Sequence, residues 1–288
     1  MIDIWDYFDR FADAPNGIEK LRQLILDLAI RGKLVKQDPD EGDVALSLPA
    51  IANAVNALQE TNKVRPKKIK DLDIEVQIEA PAQWALVNLG EICWQITDGV
   101  HHTPTYVSEG VPFLSIKNIS NGYLDFSDTR FVTAEAHEEM IKRAFPQKGD
   151  VLFTRIGTLG VNVAIDTDQP FSIFVSVGLL KLVDEFASPE FMSLTLNSPL
   201  LRMQYEQIKV GGSHTNKLNL TDMPSLLIPL PPLEEQQRIV ARVDELMAIC
   251  DELEEKQTRR QSLHVNLNES ALDKLVKSES PAEFADRW

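Results

Sequence analysis

The sequence predicts an α+β fold: a β-rich middle domain flanked by helices, followed by a long coiled-coil helix. Three observations carry this expectation. A proline-rich junction runs from Ile228 to Pro232. Beyond it, apolar residues recur at the 4-3 spacing of a helix seam. Before it, from about Trp84 onward, short β-rich runs are broken by Gly, Asn and Asp. The expected divisions are residues 1–79, helical and ending in a basic linker; 80–232, the α+β domain; and 233–288, the long helix.

The first helix is expected over Ile18 to Val35, with Ile18, Leu21, Ile25, Leu28 and Ile30 on one side. Asn16-Gly17 suits its start, and Gly32 weakens its end. A polar turn from Gln37 to Asp43 follows, then a shorter helix over Val44 to Glu60. Lys63, Arg65, Lys67, Lys68 and Lys70 place five cations in eight residues. They are candidates for phosphate contacts, although Pro66 and the lack of apolar periodicity suit a solvated linker equally. Strands are expected at Ala85 to Leu89, Val111 to Ile116, Asp150 to Phe153, Val161 to Ile165, Phe171 to Val183 and Ser225 to Pro229. Helices are expected from Ser188 to Leu196 and from Pro199 to Gln207.

At the junction Pro229, Pro231 and Pro232 fix φ and lack a backbone donor, so the chain runs extended through Pro231 and helix starts at Pro232. Glu234 and Glu235 then occupy the turn where the helix dipole favours carboxylates. Ile239, Val243, Leu246, Cys250 and Leu253 form the seam, which turns polar and resumes at Leu267, Ala271 and Leu275. No Pro or Gly interrupts the stretch from Leu233 to Lys277. Such a helix is long enough to act as a spacer. Lys33-Leu-Val-Lys36 is repeated as Lys274-Leu-Val-Lys277, which suggests one unit of a tandem or cyclic repeat whose end helices pack against their counterparts.

The net charge is −15, and residues 80–232 hold ten Lys and Arg against sixteen Asp and Glu. A chain this acidic does not grip nucleic acid by a broad basic footprint, so local patches must carry any phosphate contacts. There is neither a run of 18 apolar residues nor a secretory leader, so a cytoplasmic location without membrane contact is expected. Cys93 and Cys250, far apart, are expected to be reduced and buried. Enzyme signatures are weak. Gly157 to Gly160 lacks the Gly-Lys-Ser/Thr ending of a phosphate loop, the adjacent His101 and His102 do not suit one metal, and no His stands at a catalytic spacing from Ser or Cys.

Five blocks together resemble the specificity subunit of type I restriction-modification enzymes. They are the Ile228 to Val240 junction; Leu21 to Val35 with Gln37-Asp-Pro39; Thr97-Asp-Gly-Val-His-His-Thr-Pro-Thr-Tyr106; Pro112 to Ile119; and Gly149 to Gly160. The resemblance implies a non-catalytic protein whose target recognition domain reads one half of a bipartite site in double-stranded DNA. It implies helices that set the half-site distance and dock adenine methyltransferase subunits, with a restriction or motor subunit joining. No cofactor or metal is expected in this chain; S-adenosylmethionine, ATP and Mg belong to partner subunits. One recognition block stands where the full-length subunit carries two, implying either a half-subunit that associates with itself or a fragment. A coiled-coil scaffold whose middle domain binds protein is the alternative that the acidic charge supports.

The candidate DNA-binding residues lie in loops. Lys209, Gly211, Gly212, Ser213, His214, Thr215, Asn216 and Lys217 form a polar, flexible stretch with donors for phosphates and base edges. His101, His102 and Thr103, and Lys117 with Asn118, are comparable. Arg155 with Thr158 suits a phosphate, or else a turn that shapes the fold.

Overall fold

The computed structural model describes residues 16–72, 74–211 and 216–276. Among these, the helices are α1 Gly17–Ile30, α2 Val44–Thr61, α3 Leu89–Ile92, α4 Ala134–Ile141, α5 Pro189–Asn197, α6 Pro199–Ile208 and α7 Leu233–Val276. The strands are β1 Ala85–Asn88, β2 Cys93–Asp98, β3 Val111–Leu114, β4 Arg130–Val132, β5 Val151–Thr154, β6 Asn162–Ala164, β7 Ser172–Ile173, β8 Val177–Leu182 and β9 Leu227–Leu230. The chain divides into two compact units: residues 25–243, and the residues through Leu24 together with those from Asp244 onward.

The larger unit is built on three small sheets. β2-β8-β5-β6 is antiparallel throughout, β4-β3-β7 contains one parallel pair, and β1 pairs with β9. All six residues of β8 are buried, so the strand is covered on both faces and shows no polar alternation. Pro229 is tolerated because β9 lies at the edge of a two-stranded ribbon. The helical segment expected to stand apart packs into this body: Val44, Ile51 and Val55 of α2 share one core with strand residues Val87, Ile96, Leu180 and Ile228.

α1 ends five residues earlier than its apolar pattern suggests. Gly32 takes a left-handed φ of 64°, and the N–H groups of Gly32 and Lys33 bond back to Ala29 and Leu28. This is a glycine stop, and it is locked, since a Cβ at Gly32 would lie 2.3 Å from Pro81 Cγ. Lys33 to Lys36 therefore lies past the helix end, and its echo at Lys274 to Lys277 runs past the described residues. Four elements had no clear signal in the sequence: the short α3; β2, which carries a bulge between Cys93 and Gln95; and β4 with α4, which follow each other closely. The expected single strand over Phe171 to Val183 is two strands in different sheets, separated by a turn in which Val177 N–H bonds Phe174 O.

At the junction the Pro232 carbonyl accepts the first helical bond, from Gln236 N–H, and α7 runs 44 residues, about 66 Å at 1.5 Å per residue. In the larger unit Ile239 and Val243 are fully buried. In the smaller unit Leu246 and Cys250 are buried, and Arg22 of α1 forks onto Asp251 at 2.7 Å and Glu254 at 2.6 Å. The first half of the seam is thus covered from within the chain. Leu253 is partly buried, whereas Leu267 is 65% exposed. The Ala271 and Leu275 side chains lie outside the described residues. Cys93 and Cys250 are free and buried, and burial pushes both thiols up.

Candidate nucleic-acid interface

Asp98, at the end of β2, is fully buried and accepts from two guanidinium groups. Arg155 Nη1 and Arg143 Nη2 each bond one of its oxygens, and His101 Nε2 lies 3.0 Å away. Arg155 leaves β5 directly and also donates to the Leu218 carbonyl at 3.3 Å. Burial pulls the Arg155 guanidinium below its usual value, and Asp98 pulls it back. Arg143 Nε donates to the carbonyls of Asp98 and Gly99 at 3.1 and 3.2 Å. The backbone here is tight: a Cβ on Gly99 would sit 1.9 Å from the Ile173 carbonyl oxygen.

Around this buried charge cluster the candidate loops converge. Gly157, at a φ of 88°, donates its N–H to Asn216 O at 2.9 Å, and Leu218 N–H returns to Arg155 O at 2.9 Å. Val210 and Lys217 bond each other in both directions at 2.9 Å, closing the stretch between them. Ser176 links two loops, accepting Arg155 N–H on its carbonyl and Ile116 N–H on its hydroxyl. The 101–103, 116–118 and 155–158 loops and the 209–217 stretch therefore share one corner. His101, His102, Thr103, Lys117, Thr158, Gly211 and Lys217 are exposed there, and Lys209 and Asn216 partly so. Gly212, Ser213, His214 and Thr215 lie outside the described residues.

Two candidates change role. Arg155 is only 4% exposed with its guanidinium held by Asp98, so it shapes the corner and does not face a phosphate. Asn118 is 3% exposed: its Nδ2 donates to the Asp125 and Asp128 carbonyls and its Oδ1 accepts Ser115 N–H, which ties down a loop. Lys117 forms an exposed pair with Asp128 and Lys209 pairs with Glu206. Sequence reasoning missed Asp98 and Arg143. Asp98-Gly99 reads as a turn, and nothing in one sequence says that an arginine 45 residues onward closes on it.

Loops that converge on one corner of a β-rich body, all within residues 25–243, are the arrangement of a recognition domain. The profile described as "Type I restriction modification DNA specificity domain" matches residues 81–261, well over half of the chain. The chain belongs to that family. It is 28% identical over 287 residues to the Escherichia coli type I restriction enzyme EcoEI specificity subunit, covering 94% of this chain and 46% of that protein. It is likewise 28% identical over 296 residues to the Escherichia coli EcoAI specificity subunit, again covering 94% and 46%. The chain thus spans about half the length of these curated relatives. A solved chain described under "Structural basis underlying complex assembly and conformational transition of the type I R-M system" matches with a TM-score of 0.54 at 20% identity, covering 89% of this chain and 56% of that one. That likeness is one of fold. Among the described residues, no helix is long and apolar enough to cross a membrane.

Proposed function

We propose that this chain is a non-catalytic DNA-reading subunit of a type I restriction-modification enzyme, and that its loop corner reads one half of a bipartite duplex target. The observation that carries this reading is the family match over residues 81–261, which spans the whole corner and α7 as far as Gln261. Reading belongs to the exposed side chains of His101, His102 and Thr103, Lys117, Thr158 and Lys217, and to the rest of the 209–217 stretch. Base edges are told apart by donors and acceptors placed in the groove, and loops held on regular elements suit that task. Adenine methyltransferase subunits dock on the helical parts, and a motor-nuclease subunit joins them. S-adenosylmethionine, ATP and Mg act in those partners, which take the adenine out of the stack. The exposed half of the α7 seam pairs with a second copy of the chain, which sets two corners at a fixed separation and makes the target a palindrome.

The test is to exchange residues 211–216 for a loop of equal length and different polarity in the assembled methyltransferase, then sequence the methylated sites. The methylated motif should change while assembly persists. An unchanged motif overturns the assignment of that loop, and an assembly that ignores DNA altogether overturns the function.

A further inference from the structure

The loop corner offers a phosphate backbone few cations: Arg155 is buried against Asp98, which leaves Lys217 and, in exposed pairs with carboxylates, Lys117 and Lys209. A reader of duplex DNA in a chain of net charge −15 needs phosphate contacts from elsewhere. One surface supplies them. A groove of about 450 Å³ is walled by Lys63, Arg65 and Lys67 on one side and on the other by Lys142 and by Arg143, whose guanidinium is held by Asp98. Among the described residues, no Asp or Glu lines it.

We propose that this groove is a track for the phosphodiester backbone of duplex DNA that continues from the loop corner; the proposal rests on the function above. Lys63, Arg65 and Lys67 are exposed, and among the described residues none of them enters an ion pair. Among the described residues Lys142, just past the end of α4, pairs with Glu139, an exposed pair that a phosphate displaces at little cost.

The basic segment is not a loose linker. Val64 N–H bonds Gln59 O at 2.8 Å, and Gln59 Nε2 bonds Trp94 O at 3.2 Å, which fixes its start against β2. Its end is fixed by Lys70, whose N–H bonds Ser225 Oγ and whose ammonium pairs with Asp222. Trp94 and Phe145 form an apolar floor. Lys181 also lines the groove, its ammonium 5.4 and 5.9 Å from the ring centres, paired with Asp150 and 3% exposed.

Continuity with the corner comes through Thr97 and Arg143. Both line the groove, and the residue after the first and the partner of the second is Asp98. Backbone contacts of this kind fix register without reading sequence.

The test uses the chain assembled with its methyltransferase subunits, titrated with cognate and unrelated duplexes across a salt series. The triple variant Lys63→Gln, Arg65→Gln, Lys67→Gln should weaken both duplexes by a similar factor. It should also flatten the log K against log salt slope by about 2 to 3, since each phosphate contact contributes about 0.9. The methylated motif should stay the same. Lys142→Gln, on the other wall, should flatten the slope by about 1. Melting temperatures report folding, which exposed substitutions leave in place. Unaltered slopes in both variants, or a loss confined to the cognate duplex, overturn the groove while leaving the function standing. A wild-type assembly that binds neither duplex overturns the function and the groove together.

Discussion

Asp98 shows how one buried carboxylate organises a surface it never reaches. It compensates two guanidinium groups, one nearly enclosed, so its removal strands a buried charge. Loss of one member of such a cluster costs about 3–5 kcal/mol, far more than an exposed pair. Asp98→Ala should lower stability by about that amount in urea unfolding, with Asp98→Asn intermediate, and the loop corner should lose its protection in hydrogen exchange. A change below about 1 kcal/mol in the alanine variant would show that Arg155 finds other partners. Gly99→Ala tests the adjacent backbone. The added carbon meets a carbonyl oxygen at 1.9 Å, which no side-chain rotation relieves, so the bridge between Val100 and Phe174 must open. A marked fall in melting temperature is expected, and an unchanged one would mean the strand end shifts freely. At this scale the sequence is legible as chemistry and illegible as burial: Arg155 and Asn118 look like surface donors until their partners, distant in sequence, are seen.

The start of α7 is an element whose existence the prolines predict and whose fastening they do not. Glu235 suits the dipole at the helix start, yet it is also fully buried, accepting Trp84 Nε1 at 2.9 Å and Gln37 Nε2 at 2.7 Å. Gln236 bonds the Phe186 and Pro231 carbonyls and accepts Ser188 N–H, joining the proline strut to the start of α5. The Glu-Glu-Gln-Gln run is therefore a clasp as well as a helix start. Burial pushes the Glu235 carboxyl up, against the two donors that pull it down. Below about 4.3, the ordinary glutamate value, its contribution to stability is complete; as pH rises through the higher folded value, that contribution is lost. Glu235→Gln removes this titration, keeps an acceptor for Trp84, and offers an N–H to Gln37 Oε1, which is buried without a partner. Wild type should therefore lose stability relative to Glu235→Gln as pH rises from about 4 to 7, measured by urea unfolding at each pH. The Asp150 carboxyl, also pushed up by burial, titrates in both proteins and cancels. A difference that stays flat with pH would mean Glu235 titrates as it does in the unfolded chain.

Across the whole molecule, what repeats in the sequence was legible and what pairs at long range was not. The 4-3 seam gives α7 nearly to its ends, and the turn residues give the order of most strands. The merging of α2 into the central core, the splitting of Phe171 to Val183 between sheets and the convergence of the loops depend on contacts between distant residues. One consequence separates the two halves of the long helix. Leu246 is 1% exposed, whereas Leu267, three heptads on in the same seam, is 65% exposed. Leu246→Asp leaves a charge without a partner in a filled interior and should cost about 3–5 kcal/mol of folding stability. Leu267→Asp faces solvent in the single chain and should change that stability by no more than about 0.5 kcal/mol. Its effect should instead fall on association, because an aspartate at an apolar seam position is desolvated only when a second helix covers it. Sedimentation across a concentration series should show Leu267→Asp dissociating at concentrations where wild type is paired, with its urea midpoint unmoved. Equal association of the two proteins would remove the second copy from the seam, and with it the proposed two-fold pairing and the palindromic target that such symmetry implies.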